Sequence, residues 1–402
     1  MKTAFPIVKL SEIARLNPTL GGRLPENELV SFVPMASMSA ETAKVETTQD
    51  RPYFEVSKGF TPFLSGDVLI AKITPCFENG KIAQANLPRR NGFGSTEFHV
   101  VRSRPDLSDA RYLHHYLRLK YVRTEGQRRM TGSGGQRRVP ASFLSELRIP
   151  APSVAEQRRI ATILDQAETL RTQRRAALAQ LDSLTQSLFL DMFGDPVANN
   201  RGWPIASVND FVAGFESGKS LVADDEDDAT SVFRVLKVSA VTSLEYKPEQ
   251  SKAVPSDYVP PKSHIVRAGD LLFSRANTTE LIGATAFVAE TPDNLLLPDK
   301  LWRFVWHQPS KTAPLYVRHL FQQTKFRQEI GQRASGTSGS MKNISQGKVL
   351  SIQVGHPPLA LQQTFATRIQ AIESLKTTHH TALTKLDALF ASLQQRAFAG
   401  EL

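Results

Sequence analysis

Residues 177–184 read ALAQLDSL, and a closely similar segment, ALTKLDAL, returns 205 positions later at residues 382–389. Three earlier pairs of segments match in the same order at separations of 203 to 205 residues. They are 66–72 with 269–275, 111–117 with 315–321, and the glycine-rich 131–135 with 335–339. Repetition at this period indicates two copies of one whole module.

Length and composition agree with two domains. A chain of 402 residues exceeds what one core usually supports, and its hydrophobic fraction of 41% is enough for two cores. Cys76 is the single cysteine, which excludes a disulfide framework and a cysteine metal site and fits a reducing cytosol. No apolar run reaches about 18 residues and no apolar signal segment opens the chain, so we expect a cytoplasmic protein that does not span a membrane.

The charge of the chain indicates a polyanionic partner. The net charge is +10 and the pI is near 9.7, although composition alone does not distinguish DNA from RNA or an acidic protein. Basic residues cluster in both copies, between residues 111 and 138 and between residues 311 and 348, with one acid in each run. A solvated helix face is the alternative for either run, but recurrence at the same place in both copies favours a binding role.

After Ser153 the pattern becomes one uninterrupted helical periodicity. Ser153 and Glu156 match a capping box, and Gly194 is typical of a helix end. Apolar residues recur at alternating steps of three and four here and again after residue 358. The predicted helix-pairing residues are Ile160, Ile163, Leu170, Arg174, Leu181 and Leu188 in the first helix, and Phe365, Ile372, Leu375, His379, Leu386 and Leu393 in the second.

The two apolar stripes are longer than a domain of this size needs. Each runs for about 38 residues, or about 57 Å of helix, so we predict that the helices pair as an antiparallel coiled coil. Arg174 and His379 share one seam position, where a polar pair costs stability and can set register. Antiparallel pairing would carry the two domains to opposite ends of a rod that acts as a ruler. Ordinary packing of each stripe against a globular core is the alternative.

A search for catalytic motifs finds only lookalikes. AGFESGKS at 213–220 fits a relaxed phosphate-loop pattern, but no helix pattern follows it. NGFGST at 91–96 holds half of a dinucleotide fingerprint and is more typical of a turn. The nine histidines show no metal-ligand spacing. We therefore predict a chain that binds rather than catalyses, with no catalytic, cofactor-binding or metal-binding residues of its own.

Several segments in combination resemble one family. PSVAEQRRIA at 152–161 opens the first helix, FLDMFGDP at 189–196 closes it, and RAFAGEL stands at 396–402. Together with the two Gly-Asp-(Val/Leu)-Leu segments, they resemble the specificity subunit of type I restriction-modification enzymes. The chain departs from the pattern at the second helix start, where LQQT at 361–364 replaces EQRR at 156–159.

The resemblance implies an α+β architecture with two target-recognition domains, at residues 1–152 and 195–357, separated by two long helices at residues 153–194 and 358–402. Each domain would read one half of a split, asymmetric sequence in double-stranded DNA. The resemblance also implies two methyltransferase (M) subunits that carry S-adenosylmethionine and restriction (R) subunits that carry ATP and magnesium, with no cofactor in this chain. A stand-alone DNA-binding scaffold or regulator without an enzyme partner is the alternative.

Candidate DNA contacts are basic residues of the repeated segments. Lys72 and Arg275 come first, because each ends an apolar segment with a strand pattern. Arg137, Arg138 and Lys342 follow the glycine-rich loops, whose free backbone can approach phosphate closely. The remaining candidates are Arg118, Arg128, Arg129, Lys325 and Arg327, whereas the aromatic neighbours Tyr112, Tyr116, Tyr316 and Phe321 are expected in the core.

Overall fold

A computed structural model of the chain describes residues 5–133, 135–220, 232–336 and 341–402. The chain divides into two compact units, Met1–Ala177 with His379–Leu402 and Leu178–Thr378. Both boundaries fall inside the long helices, so each unit contains one copy of the repeat and one half of each helix.

The first unit is built from short strands and helices around one long helix. Its strands are β1 (Ile7–Lys9), β2 (Ala14–Leu16), β3 (Leu29–Val33), β4 (Gln49–Pro52), β5 (Thr61–Leu64), β6 (Val68–Ala71), β7 (Ile82–Gln84), β8 (Asn91–Gly94), β9 (Phe98–Ser103) and β10 (Arg148–Pro150). Its helices are α1 (Leu10–Ile13), α2 (Tyr53–Val56), α3 (Ala110–Leu117), α4 (Lys120–Arg128), α5 (Ala141–Ser145) and the start of α6 (Val154–Phe193). The central antiparallel sheet has the order β2-β9-β6-β7, a second sheet has the order β4-β3-β8-β5, and β1 pairs with β10.

The second unit repeats this plan. Its strands are β11 (Ile205–Ser207), β12 (Val212–Ser217), β13 (Arg234–Leu236), β14 (Ser251–Ala253), β15 (Leu271–Ser274), β16 (Ala276–Asn277), β17 (Thr285–Phe287), β18 (Leu295–Leu296), β19 (Leu301–Trp306), β20 (Lys342–Asn343) and β21 (Gln353–Gly355). Its helices are α7 (Ser239–Thr242), α8 (Pro314–Gln322), α9 (Thr324–Arg333), α10 (Gln346–Leu350) and the start of α11 (Leu359–Ala399). The central sheet, β12-β19-β15-β17, has the same order as its counterpart, and β14-β13-β18 corresponds to part of the second sheet. The predicted α+β fold with an internal repeat is confirmed.

The repeated Gly-Asp pair forms a turn before the central strand of each unit. Gly66 and Gly269 have φ angles of +99° and +92°, which favour glycine. Asp67 accepts a hydrogen bond from the Leu64 N–H at 2.8 Å and pairs with Arg102 at 2.7 Å. The aspartate of the second unit repeats both interactions. The repeated Gly-Asp segment is therefore a structural turn held by the aspartate carboxylate.

Within each unit, α3 or α8 packs between the sheet and the long helices. In the first unit Tyr112 shares a core with Ile160 and Leu164 of α6 and with Phe390 and Phe398 of α11. All four aromatic residues predicted for the core are buried, namely Tyr112, Tyr116, Tyr316 and Phe321. The long helices are thus integral parts of each unit's core.

The two long helices run antiparallel within each unit, as predicted. In the first unit the Arg171 Nε donates to Asp387 Oδ1 at 2.6 Å. In the second unit the Lys376 Nζ lies 2.8 Å from Asp182 Oδ1. The two ion pairs are equivalent: Lys376 stands 205 positions after Arg171, and Asp387 stands 205 positions after Asp182. Equivalent residues of the two copies therefore make the same contact between the helices within each unit.

The most buried line along the helices differs from the predicted seam. Leu170 and Leu375 are 52% and 51% exposed, whereas the neighbouring Leu164 and Phe189 are fully buried. The reason is that each helix packs against its own unit as well as against its partner helix, so the line that faces both is the most buried one. A strict seam prediction is therefore wrong in burying Leu170 and Leu375. Of the other apolar pairing candidates, Ile160, Phe365 and Ile372 are buried and Ile163, Leu181, Leu188, Leu386 and Leu393 are half-buried.

The predicted polar pair exists in the first unit. The Arg174 Nη1 lies 3.0 Å from His379 Nδ1, so the guanidinium donates to the imidazole nitrogen. The predicted capping box is only half present: Ser153 Oγ accepts from the Glu156 N–H at 3.3 Å, but the Glu156 carboxylate pairs with Arg159 at 2.8 Å instead.

Gln157 and Gln362, at equivalent positions 205 apart, anchor the starts of the two long helices, and both are fully buried. Each side-chain carbonyl accepts from a backbone N–H beside α3 or α8, that of Asp109 at 3.0 Å and that of Ala313 at 3.0 Å. Each side-chain amide donates to a backbone carbonyl just before its own helix, at 2.9 and 2.8 Å. The sequence departure at 361–364 therefore leaves this anchor intact.

Candidate nucleic-acid interface

Lys72 and Arg275 occupy the same place, one residue after β6 and β15. The Lys72 N–H donates to the carbonyl of Glu97 at 2.8 Å, and its carbonyl accepts from the Val139 N–H at 2.9 Å. Arg275 makes the same two bonds with the equivalent residues of its own unit, both at 3.1 Å. Both cations therefore lie at the predicted end of a strand, where the same two backbone hydrogen bonds hold them in each unit.

The residues that close the glycine-rich loops lie at the same edge. Arg138 and Thr131 exchange two backbone hydrogen bonds of 2.8 and 3.0 Å, and Asn343 and Ser335 exchange two of 2.8 Å. Residue 134 and residues 337–340 of these loops lie outside the described part of the chain. We call Lys72, Glu97, Arg137 and Arg138 the first basic edge, and Arg275, Asp299, Lys300 and Lys342 the second basic edge.

The first basic edge is organised around a carboxylate. Arg138 approaches Glu97 side-on, with Nε at 2.9 Å from Oε2 and Nη2 at 2.8 Å from Oε1. These hydrogen bonds hold the pKa of the Glu97 carboxyl below its usual value and raise the pKa of Arg138. Arg137 is exposed, and Lys72 is half-buried beside a cavity of about 300 Å³. The edge thus presents three cations, one of which, Arg138, is held by the Glu97 carboxylate.

The second basic edge has the same number of positive and negative side chains as the first, in a different arrangement. Here the arginine at the strand end is the one that is held: Arg275 Nε donates to the Asp299 carbonyl at 2.7 Å, and Nη2 lies 3.4 Å from Asp299 Oδ2. Its guanidinium carbon lies 5.9 Å from the Trp302 ring centre. Lys300 stands where the first unit has Glu97, and it lines a cavity of about 240 Å³. Both edges carry three cations and one carboxylate, but in different places.

Arg118 does not belong to an open basic surface. Its side chain is 15% exposed and pairs with Glu168 of α6 at 3.6 Å. Burial lowers the pKa of Arg118, although the Glu168 charge opposes this shift. The structure gives Arg118 the role of joining α3 to the long helix, because a buried, paired guanidinium is not available to phosphate.

The four other candidates lie on α4, directly after it or on α9, and have partners in their own unit. Arg128 and Arg129 approach Glu125 at 2.8 and 3.9 Å, Lys325 pairs with Asp195 at 2.6 Å, and Arg327 donates to the Glu280 carbonyl at 2.6 Å. Desolvation by burial lowers the pKa of Arg327. Arg128 is the most exposed of them, with 72% of its side chain accessible.

The catalytic lookalikes are ordinary strands and turns. Most of the phosphate-loop lookalike is β12, the edge strand of the central sheet, and most of the dinucleotide lookalike is β8. Among the described residues no group of histidine, cysteine and carboxylate side chains could hold a metal ion. In the same part of the chain, no helix combines the length and the apolar character needed to cross a bilayer.

Sequence reasoning missed the acids that arrange the cations. The acids Glu97 and Asp299, and Lys300 at the position that corresponds to Glu97, lie between the segments that mark the repeat. The offset of 203 residues between the two Gly-Asp segments aligns Glu97 with Lys300. The reversal of charge at this position could therefore have been predicted from the sequence. The contacts of the two acids with Arg138 and Arg275 could not, because they join segments about 40 and 25 residues apart through the fold.

Comparison with protein families and curated proteins gives one consistent result. Residues 5–180 match the family described as Type I restriction modification DNA specificity domain. The chain is 27% identical to the EcoEI specificity subunit of a type I restriction enzyme from Escherichia coli, over 90% of this chain and 76% of that protein. It is 37% identical to the EcoAI specificity subunit from Escherichia coli, over 44% of this chain and 30% of that protein.

Solved structures show the same fold. The S subunit of a type I restriction-modification system from M. genitalium superposes with a TM-score of 0.59 at 13% identity, covering 98% of this chain and 96% of that one. A chain from a structural study of complex assembly and conformational transition in the type I R-M system gives a TM-score of 0.57 at 17% identity, covering 99% and 98%. At these identities the likeness concerns the fold.

Proposed function

We propose that the chain is the non-catalytic DNA-recognition subunit of a type I restriction-modification complex and reads a bipartite, asymmetric site in double-stranded DNA. Its similarity to type I specificity subunits supports this proposal. Each unit would read one half-site with its basic edge. Phosphate contacts by lysine and arginine would position the unit, and a few side chains would read base edges.

The observation that carries this proposal is the pair of basic edges. The backbone positions of Lys72 and Arg275 are held in the same way, which supports one mode of approach to DNA. The side chains around them differ, since the position of Glu97 in the first unit corresponds to that of Lys300 in the second. Reading two different half-sites requires different side chains on the same backbone arrangement, because base readout depends on the hydrogen-bonding groups that the protein presents.

The long helices support the proposed partners. Five leucines of these helices are about half exposed, namely Leu190 and two equivalent pairs: Leu170 and Leu389 in the first unit, and Leu375 and Leu184 in the second. Exposed leucines on a helix are typical of a surface that another helix covers. In the first unit Leu170 also lines a groove of about 510 Å³ between the helices. A surface present twice fits two identical partner subunits, which we assign to the methyltransferase. S-adenosylmethionine would be carried by those subunits, and ATP with magnesium by restriction subunits.

The experiment that tests the proposal is selection from a randomised double-stranded DNA pool. The full chain, assembled with its cognate methyltransferase subunit, is expected to enrich two different half-sites about one helical turn apart. Sequencing the methylated motif in host DNA, with and without this chain, provides the matching measurement in cells. Enrichment of a single uninterrupted motif, or of none, would contradict the proposal.

The helices provide a second arm of the same experiment. Removing residues 174–180 and 379–385 together deletes one heptad from equivalent places in both helices, about 10 Å of rise. If the helices set the spacing, the enriched spacer changes by roughly three base pairs at about 3.4 Å each. Unchanged spacing would remove the ruler role. Equally tight and specific binding by the isolated chain, with no gain from the methyltransferase, would favour a stand-alone scaffold.

A further inference from the structure

Each basic edge contains one arginine that a carboxylate residue holds in a fixed orientation. In the first edge it is Arg138, held side-on by Glu97. In the second edge it is Arg275, held by the carbonyl and carboxylate of Asp299. The two arginines are not equivalent in sequence, because Arg138 corresponds to Asn343 and Arg275 corresponds to Lys72.

The hydrogen bonds of Arg138 leave a definite pair of donors. A guanidinium has five N–H groups. Glu97 accepts from Nε and from Nη2, and the Gln136 carbonyl accepts from Nη1 at 3.2 Å. Among the described residues, one N–H on each terminal nitrogen therefore remains without a partner. The side chain is 41% exposed, so this end of the fork can reach a ligand.

Arg275 is left in a similar state. Asp299 accepts from Nε and from one N–H of Nη2, so the described residues leave both N–H groups of Nη1 and one of Nη2 available. The Trp302 ring lies near the guanidinium. In both edges the Nε side of the guanidinium is occupied, and each terminal nitrogen keeps at least one N–H without a partner among the described residues.

We propose, on the basis of the DNA-recognition function above, that Arg138 and Arg275 each read one guanine in the major groove, one in each half-site. The terminal pair of guanidinium N–H groups matches the O6 and N7 acceptors of guanine. The held orientation lowers the conformational entropy that the arginine loses on binding, which favours readout over a mobile phosphate contact. Because Arg138 follows the glycine-rich loop whereas Arg275 directly follows β15, the guanine has a different position in each half-site. Glu97 and Asp299 are positioning residues that act through the arginine.

The experiment uses the full chain assembled with its methyltransferase subunit and a randomised double-stranded DNA pool at one fixed salt concentration. Arg138→Lys and Arg275→Lys keep the charge but remove the fork. Each is expected to lower the preference for guanine at one position of one half-site by on the order of tenfold or more, with the other half-site unchanged. Glu97→Gln is expected to weaken the same preference as Arg138→Lys, by a smaller factor.

Arg23→Lys is the matched control, since Arg23 is an exposed arginine paired with Glu26 and is not among the candidate DNA contacts. It is expected to leave every base preference unchanged. The inference is overturned if the Arg138→Lys and Arg275→Lys complexes select the unmodified motif, if the motif has no guanine, or if both variants lose affinity equally for all sequences. Circular dichroism and complex assembly, compared with the control, verify folding. If the unmodified complex selects no bipartite motif, the proposed function fails; if it selects one that the lysine variants keep, only this inference fails.

Discussion

His115 in the first unit and His319 in the second occupy corresponding positions on α3 and α8, yet their surroundings differ. His115 Nε2 lies 2.7 Å from Asp165 of α6. His319 instead packs edge-on against Phe365 of α11 at 5.4 Å, and its Nε2 has no hydrogen-bond partner in the described part of the chain. The same backbone plan thus docks a helix through a histidine–aspartate contact in one unit and through an aromatic contact in the other.

The pKa values follow this difference. In the first unit burial raises the pKa of Asp165, but hydrogen bonds and charges from His115 and Arg111 outweigh it and the net shift is downward. In the second unit burial, together with the charges of Arg318 and Lys376, lowers the pKa of His319 to about 3. Repetition therefore preserves the packing geometry of a module more closely than its electrostatics. The buried glutamines and the paired helices are what the two units share.

The largest effect is expected from breaking what the units share. Gln362→Leu leaves the Ala313 N–H and the Pro357 carbonyl without their buried partner, which we expect to destabilise the second unit by roughly 3 kcal/mol or more. Gln157→Leu should do the same to the first unit. Hydrogen exchange, read separately on α3 and α8, measures the loss in each unit. The exposed neighbour Gln363→Leu is the control, and an equal loss in both units from either variant would contradict the independence of the two anchors.

The second prediction sharpens the histidine comparison. An unfolded histidine has a pKa of about 6.5, and the folded value for His319 is about 3, so its contribution to stability is full above about pH 6.5 and is lost as the pH falls towards 3. The expected loss between pH 7.5 and pH 5 is about 2 kcal/mol for the second unit. His319→Phe should remove this part of the pH dependence. Urea unfolding of both proteins at the two pH values measures it, and an unchanged slope in the variant would show that His319 is not its source.

The smallest effect concerns the equivalent ion pairs between the helices. Asp387 accepts from Arg171 at 2.6 Å and from Arg175 at 3.2 Å, whereas Asp182 pairs with Lys376 alone among its α11 neighbours and is 63% exposed. We expect Asp387→Asn to cost about 1 kcal/mol and Asp182→Asn about 0.3 kcal/mol, because exposed pairs contribute little. Thermal unfolding at low and high salt measures both. A larger cost for Asp182→Asn would reverse the ranking.

Much of the helical architecture was predictable from local signals. The long helices, their antiparallel pairing and the Arg174–His379 contact followed from periodicity and from the repeat. Burial of Leu170 and Leu375 was predicted wrongly, since periodicity does not reveal that a helix has two neighbours at once. The assignment of Arg118 to DNA failed for a related reason, because a charged residue in a basic run looks the same in sequence whether it faces water or Glu168.

The sequence alone determined the repeat, the two long helices and the equivalent positions of Lys72 and Arg275. Spacing along the chain sets the periodicity of an element and the register of a repeat. Tertiary structure decided which cations are held and which are buried. Glu97 reaches Arg138 across 41 positions, and Asp299 reaches Arg275 across 24, only because the fold brings these distant segments together. Contacts of that kind depend on the packing of distant segments, which spacing alone does not encode.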